Sequence, residues 1–201
     1  MNSSHFLGFV TGFGDQGVIL PFVAAVAVTL FAVHARREAL YWSAAITASL
    51  LAALVAKIVF IPCGHLLPWL DIRSPSGHAA AAIAAYGGFA VLCARFARGR
   101  TAQMLFMALA LIGGIGISLS RIYLHAHTVP EAVLGGALGF IAPAILYRVE
   151  LPTAALKPRP VLLLLLLPLA VALLLHGVTL PVESRIAGIA EQISTLLGIC
   201  D

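Results

Sequence analysis

"AQMLFMALALIGGIGISLSRIYLHAHTVPEAVLGGALGFIAPAILY", residues 102–147, sets the reading of the whole chain. Two apolar runs, 102–119 and 131–147, enclose a segment that carries Arg121, His125 and His127, with Glu131 at its far edge. A helix crosses a bilayer core with about 20 mostly apolar residues, and about 17 is the usable minimum. Both runs reach it. The polar segment between them is then a connection at a membrane surface.

Four more runs of the same kind flank this pair, at 17–35, 40–61, 76–96 and 161–178. The chain has 201 residues, of which 61% are hydrophobic and 10% charged, and its mean hydropathy is +1.04. A soluble domain carries about 25% charged residues. The expected fold is therefore all-α: one polytopic membrane helix bundle spanning residues 1–201, with six transmembrane helices. Gly113, Gly114 and Gly116 in the fourth run and Gly135, Gly136 and Gly139 in the fifth allow close helix approach. Both helices are expected inside the bundle.

The formal charge of +4 matters less than its placement, and nothing in it calls for nucleic acid. Arg36 and Arg37, then Arg95, Arg98 and Arg100, then Arg148, Lys157 and Arg159 follow the first, third and fifth runs, eight of the twelve basic residues. The other face has Lys57, Arg73, Arg121 and Arg185. Positive-inside asymmetry puts the first set in the cytoplasm of an inner-membrane protein. The segments around residues 75 and 125 then face outward, toward the periplasm. No Lys or Arg precedes Arg36, so the N-terminus lacks the basic region of a cleavable signal.

Three cysteines make no disulfide framework, and at most Cys63 pairs with Cys200. Near the C-terminus, Val182, Ile186, Ile189, Ile193 and Leu196 share one helix face, with Glu183, Arg185, Glu191 and Gln192 on the others. Residues 181–199 thus read as an amphipathic helix in the outer interface, either inert or covering a site entrance.

Ionisable residues at membrane depth are costly and mark functional sites by default. Lys57 sits near the outer end of the second run, where snorkelling is the alternative role. In "DIRSPSGH", residues 71–78, Ser74 is the expected cap and Pro75 the first helical residue, so that Ser76, Gly77 and His78 offer first-turn donors to an anion. His127 and Glu131 are four apart, so the carboxylate can take one ring N–H and leave the other nitrogen as a nucleophile. Thr128 and Glu131 also fit a capping box, and both roles can coexist. Together these residues supply cations, oriented N–H groups and two histidines, which suits phosphoryl transfer without a metal cofactor.

Lys57, then "PSGH" at 75–78, then Ser120-Arg121, five residues, His127, three residues and Glu131 resemble the type 2 phosphatidic acid phosphatase family of membrane lipid phosphatases. That pattern is Lys, six residues, Arg-Pro; Pro-Ser-Gly-His; and Ser-Arg, five residues, His, three residues, Asp. The resemblance implies a phosphohistidine at His127 oriented by Glu131, proton transfer by His78, and phosphate binding by Lys57, Ser76, Gly77 and Arg121. This chain departs from it at Gly64-His65, where Arg-Pro is expected, and at Glu131, where aspartate is expected. It also has two runs before "PSGH" where the family has three. Arg73 is the nearest substitute for the missing arginine, with His65 the weaker one. His125 has no counterpart in the pattern.

The implied activity is hydrolysis of a lipid phosphate or diphosphate in the outer leaflet, such as undecaprenyl diphosphate, phosphatidic acid or phosphatidylglycerol phosphate. Other readings are a phosphotransferase using the same site, a non-catalytic lipid-binding or transport protein of the same fold, and a zinc enzyme using Cys63, His65, His78, His125 and His127. The partners expected are the lipid substrate and the bilayer.

Overall fold

The computed structural model describes residues 3–66, 68–97, 99–149, 158–198 and 200. Arg98 and Lys157, two of the basic residues used for orientation, lie outside the described residues. The chain is all-α, with ten helices among the described residues. They are α1 (Ser3–Gly12), α2 (Gln16–Ala32), α3 (Arg36–Cys63), α4 (Gly77–Ala82), α5 (Gly88–Phe96), α6 (Arg100–Tyr123), α7 (Val129–Gly139), α8 (Ile141–Arg148), α9 (Pro158–Leu174) and α10 (Val182–Leu197). A π-helical turn, Ile83–Gly87, joins α4 to α5 in one span, and α7 runs on into α8 in another.

Among the described residues, five segments are long and apolar enough to cross a membrane: His5–Ala32, Arg36–Leu66, Gly77–Phe96, Arg100–Tyr123 and Val129–Arg148. The sixth expected span is shorter than the sequence suggests. Its apolar helix stops at Leu174, and Gly177 turns the chain with a φ of +90°. The first segment is also interrupted, because Asp15 caps α2 by accepting from the Gly17 N–H at 2.8 Å, which separates it from α1.

A core of α2, α3, the α4–α5 span, α8 and α9 holds the bundle together. Trp42 is fully buried and its indole N–H donates to the Val23 carbonyl at 3.0 Å, while Phe22 meets Tyr86 and Phe89 edge to face. The fifth span packs as its glycines suggest. Gly135 lies against the Ser76 backbone, and a Cβ on Gly139 would stand 2.5 Å from the Ala80 carbonyl oxygen, so α7 and α4 touch backbone to backbone. Ser49 donates to the Leu138 carbonyl beside this contact, at 2.7 Å.

The fourth span departs from expectation. Only Gly114, Ile117 and Ser120 of α6 are buried, and Gly113 has open space where a side chain would go. Its small residues are therefore only partly used for packing. Gly114 receives the Ile83 side chain, and most of the remaining α6 surface is apolar and exposed, as a lipid-facing helix requires.

These contacts predict a contrast between two glycines. Gly139→Leu should lower thermal stability in detergent by the upper end of the ~1–3 kcal/mol that overpacking costs, since backbone cannot yield as a side chain does. Gly113→Leu should leave the melting temperature nearly unchanged. Equal melting temperatures for the two variants would contradict the assigned contact.

Candidate active site

The connections around residues 75 and 125 converge because Glu131 joins them. It is 5% exposed, yet its carboxylate has four donors. Oε1 accepts from the backbone N–H groups of Arg73 at 2.8 Å and Ser74 at 2.9 Å. Oε2 accepts from the Thr128 N–H at 3.1 Å and lies 2.8 Å from His127 Nδ1. The capping box is present as well, with Thr128 Oγ1 accepting from the Glu131 N–H. Both roles left open by the sequence are filled by one side chain.

The Glu131 bond assigns the His127 proton to Nδ1 and leaves Nε2 with its lone pair. Burial pushes the His127 pKa below the ordinary 6.5, against the opposing pull of the Glu131 hydrogen bond and the nearby carboxylate charges. A neutral imidazole is thus favoured near neutral pH. That is the form required of a nucleophile.

The 71–78 segment folds with a shift of two residues from the expected cap. Ser76, not Ser74, is the N-cap of α4, accepting from the Ala79 N–H. It is fully buried, and its backbone N–H donates to the Glu131 carbonyl at 3.0 Å. Ser74 instead accepts from Lys57 Nζ at 3.1 Å. Lys57 is only 4% exposed, so it does not snorkel out of the protein. Its other partner is Glu183 at 2.9 Å.

Glu183 and Asp15 are site residues that the sequence reading did not find. The His78 ring lies between them, with Nε2 3.7 Å from Asp15 and Nδ1 3.8 Å from Glu183. Glu183 also abuts Gly77, where a Cβ would lie 2.5 Å from its Oε1. Although burial alone would raise it, the Glu183 pKa is held at about 2 by His78 and Lys57. On α10, the buried residues Ala190 and Ser194 continue the helical spacing of Glu183 and Ala187. A small-residue face was the available signal. Asp15 had only its N-cap position to mark it.

Arg121 ends α6 within electrostatic reach of Glu183 and Asp15. Its Nε is buried without a hydrogen-bond partner among the described residues. A buried unsatisfied donor costs about 1–3 kcal/mol, so its retention calls for an acceptor that arrives with a ligand.

Arg73 is not brought into the cluster by its side chain, which is exposed; only its backbone N–H takes part. His65 is also exposed and meets the Pro62 carbonyl. A physical reason for the absent arginine is visible at Gly64. A Cβ there would stand 2.6 Å from the Ile72 carbonyl oxygen, so the 71–73 backbone fills the space of a side chain. His125 occupies the left-handed position after α6, with φ +54°, where the Ala126 N–H closes onto the Arg121 carbonyl. It serves as a helix stop. The zinc set is not assembled, since Cys63 is bonded to Cys200 and no group of three ligating residues is poised for a metal among the described residues. A cavity of about 700 Å³ lined by Arg95, Arg100, Gln103 and Tyr147 contains none of these site residues.

Residues 59–153 match the PAP2 superfamily. A curated relative described as an uncharacterized 22.5 kDa protein in the cps region of Klebsiella pneumoniae is 29% identical over 200 residues, covering 93% of this chain and 91% of its own. No solved structure matches the chain. Lys57, Asp15 and Glu183 fall outside the matched stretch.

Glu131→Gln preserves shape but sets an amide where four donors converge. Removal of the buried charge should destabilise the protein by ~3 kcal/mol, the lower end for a broken buried pair. Thermal denaturation measures this. A melting temperature equal to wild type would remove Glu131 as the joint.

Proposed function

We propose that this chain, whose residues 59–153 match the PAP2 superfamily, is a membrane phosphatase of that family that hydrolyses a lipid phosphate or diphosphate through a phosphohistidine at His127. The observation that carries this reading is the His127–Glu131 pair at 2.8 Å, joined through the His127 backbone N–H to the carbonyl of Arg121, whose buried Nε lacks a partner among the described residues.

Lys57, Arg121 and the first-turn N–H groups at Gly77 and His78 would bind the phosphoryl oxygens, supported by the charge of the cations and the dipole of the span. Buried Ser76 supports this turn as its cap. His127 Nε2 attacks phosphorus and forms an N–P bond as the P–O bond to the lipid breaks. His78 gives its proton to the departing oxygen. In the second half, His78 accepts a proton from water, the water oxygen attacks phosphorus, and the N–P bond breaks to release phosphate and restore His127. Glu131 fixes the tautomer throughout and balances the imidazolium that phosphorylation creates.

A site facing the periplasm is supported by two independent features. Among the described basic residues, Arg36, Arg37, Arg95, Arg100 and Arg148 cluster at the ends of helices opposite the site, in keeping with cytoplasmic loops. Cys63 and Cys200 form a disulfide at the site end, and disulfides persist in oxidising compartments. A substrate whose tail remains in the outer leaflet fits a site held at the ends of apolar helices.

Purified protein in detergent, with chelator present, should release phosphate from part of a panel of lipid mono- and diphosphates. His127→Ala should lower kcat/KM at least ~10³-fold, and His78→Ala should lower it by the ~10²–10⁴-fold typical of a general acid. Activity surviving His127→Ala would sink the covalent mechanism. Because His127 must be neutral to attack and its pKa lies below 6.5, the acid limb of kcat/KM should fall below pH 6.5. An acid limb above that value would contradict the burial described.

A further inference from the structure

We propose that Glu183 is an intramolecular competitor for the phosphoryl group, delivered by α10, and that substrate enters only when this carboxylate is displaced. The inference rests on the phosphate-site reading above and adds a gate to it.

The carboxylate stands where a phosphoryl group would be held. Oε2 is 2.9 Å from Lys57 Nζ, and Oε1 lies against Gly77 and 3.8 Å from His78 Nδ1. Its charge is also felt by Arg121 and His127. One anion thus contacts Lys57, the first turn and His78, within electrostatic reach of Arg121 and His127. A phosphate dianion cannot join it there, because two like charges at such separation repel each other strongly in a partly desolvated site. Occupation by one excludes the other.

Exchange is also favoured over simple loss. Lys57 is buried, and withdrawal of Glu183 alone would leave it, among the described residues, with only a serine hydroxyl, at the cost of an unpaired buried charge. An incoming phosphate restores that charge balance. Arg121 Nε gains an acceptor at the same time, which Glu183 does not provide.

The delivery of Glu183 is built into α10. Ala190 and Ser194 are buried on the face that Glu183 shares, while Ile189, Leu196 and Leu197 remain exposed. The helix begins beside the site, just after Leu180, whose N–H donates to Asp15 at 3.1 Å. Its far end is tied to α3 through Cys200 and Cys63. With Lys57 and Cys63 on the same helix, α3 holds both the cation and the tether. Entry of substrate then requires movement of the first turn of α10, where Glu183 lies, while the disulfide at the other end retains the helix.

The test is the affinity of the purified full chain for inorganic phosphate, by calorimetry, in wild type, Glu183→Gln and Glu191→Gln. The last removes a charge from an exposed position of the same helix. Glu183→Gln should bind inorganic phosphate tenfold or more tightly than wild type, and Glu191→Gln should match wild type. Equal or weaker binding by Glu183→Gln overturns the gate, as does an equal gain in Glu191→Gln, which would mark a general charge effect. Phosphate release from the lipid panel separates the two readings. If Glu183→Gln binds phosphate more tightly but neither it nor wild type hydrolyses any lipid, the gate stands and the phosphatase reading fails. If wild type hydrolyses lipid and Glu183→Gln binds no more tightly, the phosphatase reading stands and the gate fails.

Discussion

A single buried carboxylate fixes the geometry of this site. Glu131 lies at the start of α7, and its two oxygens gather donors from Arg73 and Ser74 on one side and His127 and Thr128 on the other. Burial of a carboxylate is unfavourable unless hydrogen bonds replace its water. Here that requirement works as a constraint on the chain: the charge is tolerated only when both connections are in place. His127, the proposed nucleophile, therefore cannot be oriented without also positioning the segment that leads into α4.

That joint would be of little use if the helices behind it stood apart. Gly135 and Gly139 let α7 lie against the backbone of Ser76 and Ala80, and the four alanines 79–82 are all buried in the same region. In a bilayer, where apolar side chains gain little by leaving lipid, such close packing is a main source of helix association. The contact continues into the site, because Gly135 touches the residue that caps α4. Packing and chemistry thus share a residue, Ser76, whose burial makes it a support of the first turn.

Much of this was legible in the sequence, for identifiable reasons. Bilayer-length apolar runs and ionisable residues at their ends are strong signals against a greasy background, so five of the six expected spans and the positions of Lys57, His78, Arg121 and the His127–Glu131 pair could be read. Details set by tertiary contact could not. Which serine caps α4 depends on where the 71–75 segment is held by Glu131, and α6 stays largely exposed despite its glycines because only Gly114 is tightly packed, while Gly116 meets Val10 loosely and Gly113 meets nothing. Glu183 was missed because a search for large apolar residues defines a different face of α10, one on which Ile189 and Leu196 stay exposed. The face that packs is built from small residues, and its leading member is charged.

The replacement of the expected aspartate by Glu131 gains a physical reason from these contacts. A capping box needs a Glu or Gln at its third position, long enough to return to the cap residue's N–H. Glu131 makes that return to Thr128 and, with the same Oε2, meets His127, while Oε1 reaches across to the Arg73 and Ser74 N–H groups. A carboxylate one methylene shorter on the same backbone would sit further from those groups. The same crossing also bears on the missing arginine, because the 71–73 backbone that Glu131 holds is the backbone that packs onto Gly64. The longer acid and the lost cation are then two sides of one local rearrangement. Drawing the loop inward leaves no room for a side chain at position 64, so that Lys57 and Arg121 are the cations left to the proposed phosphate site.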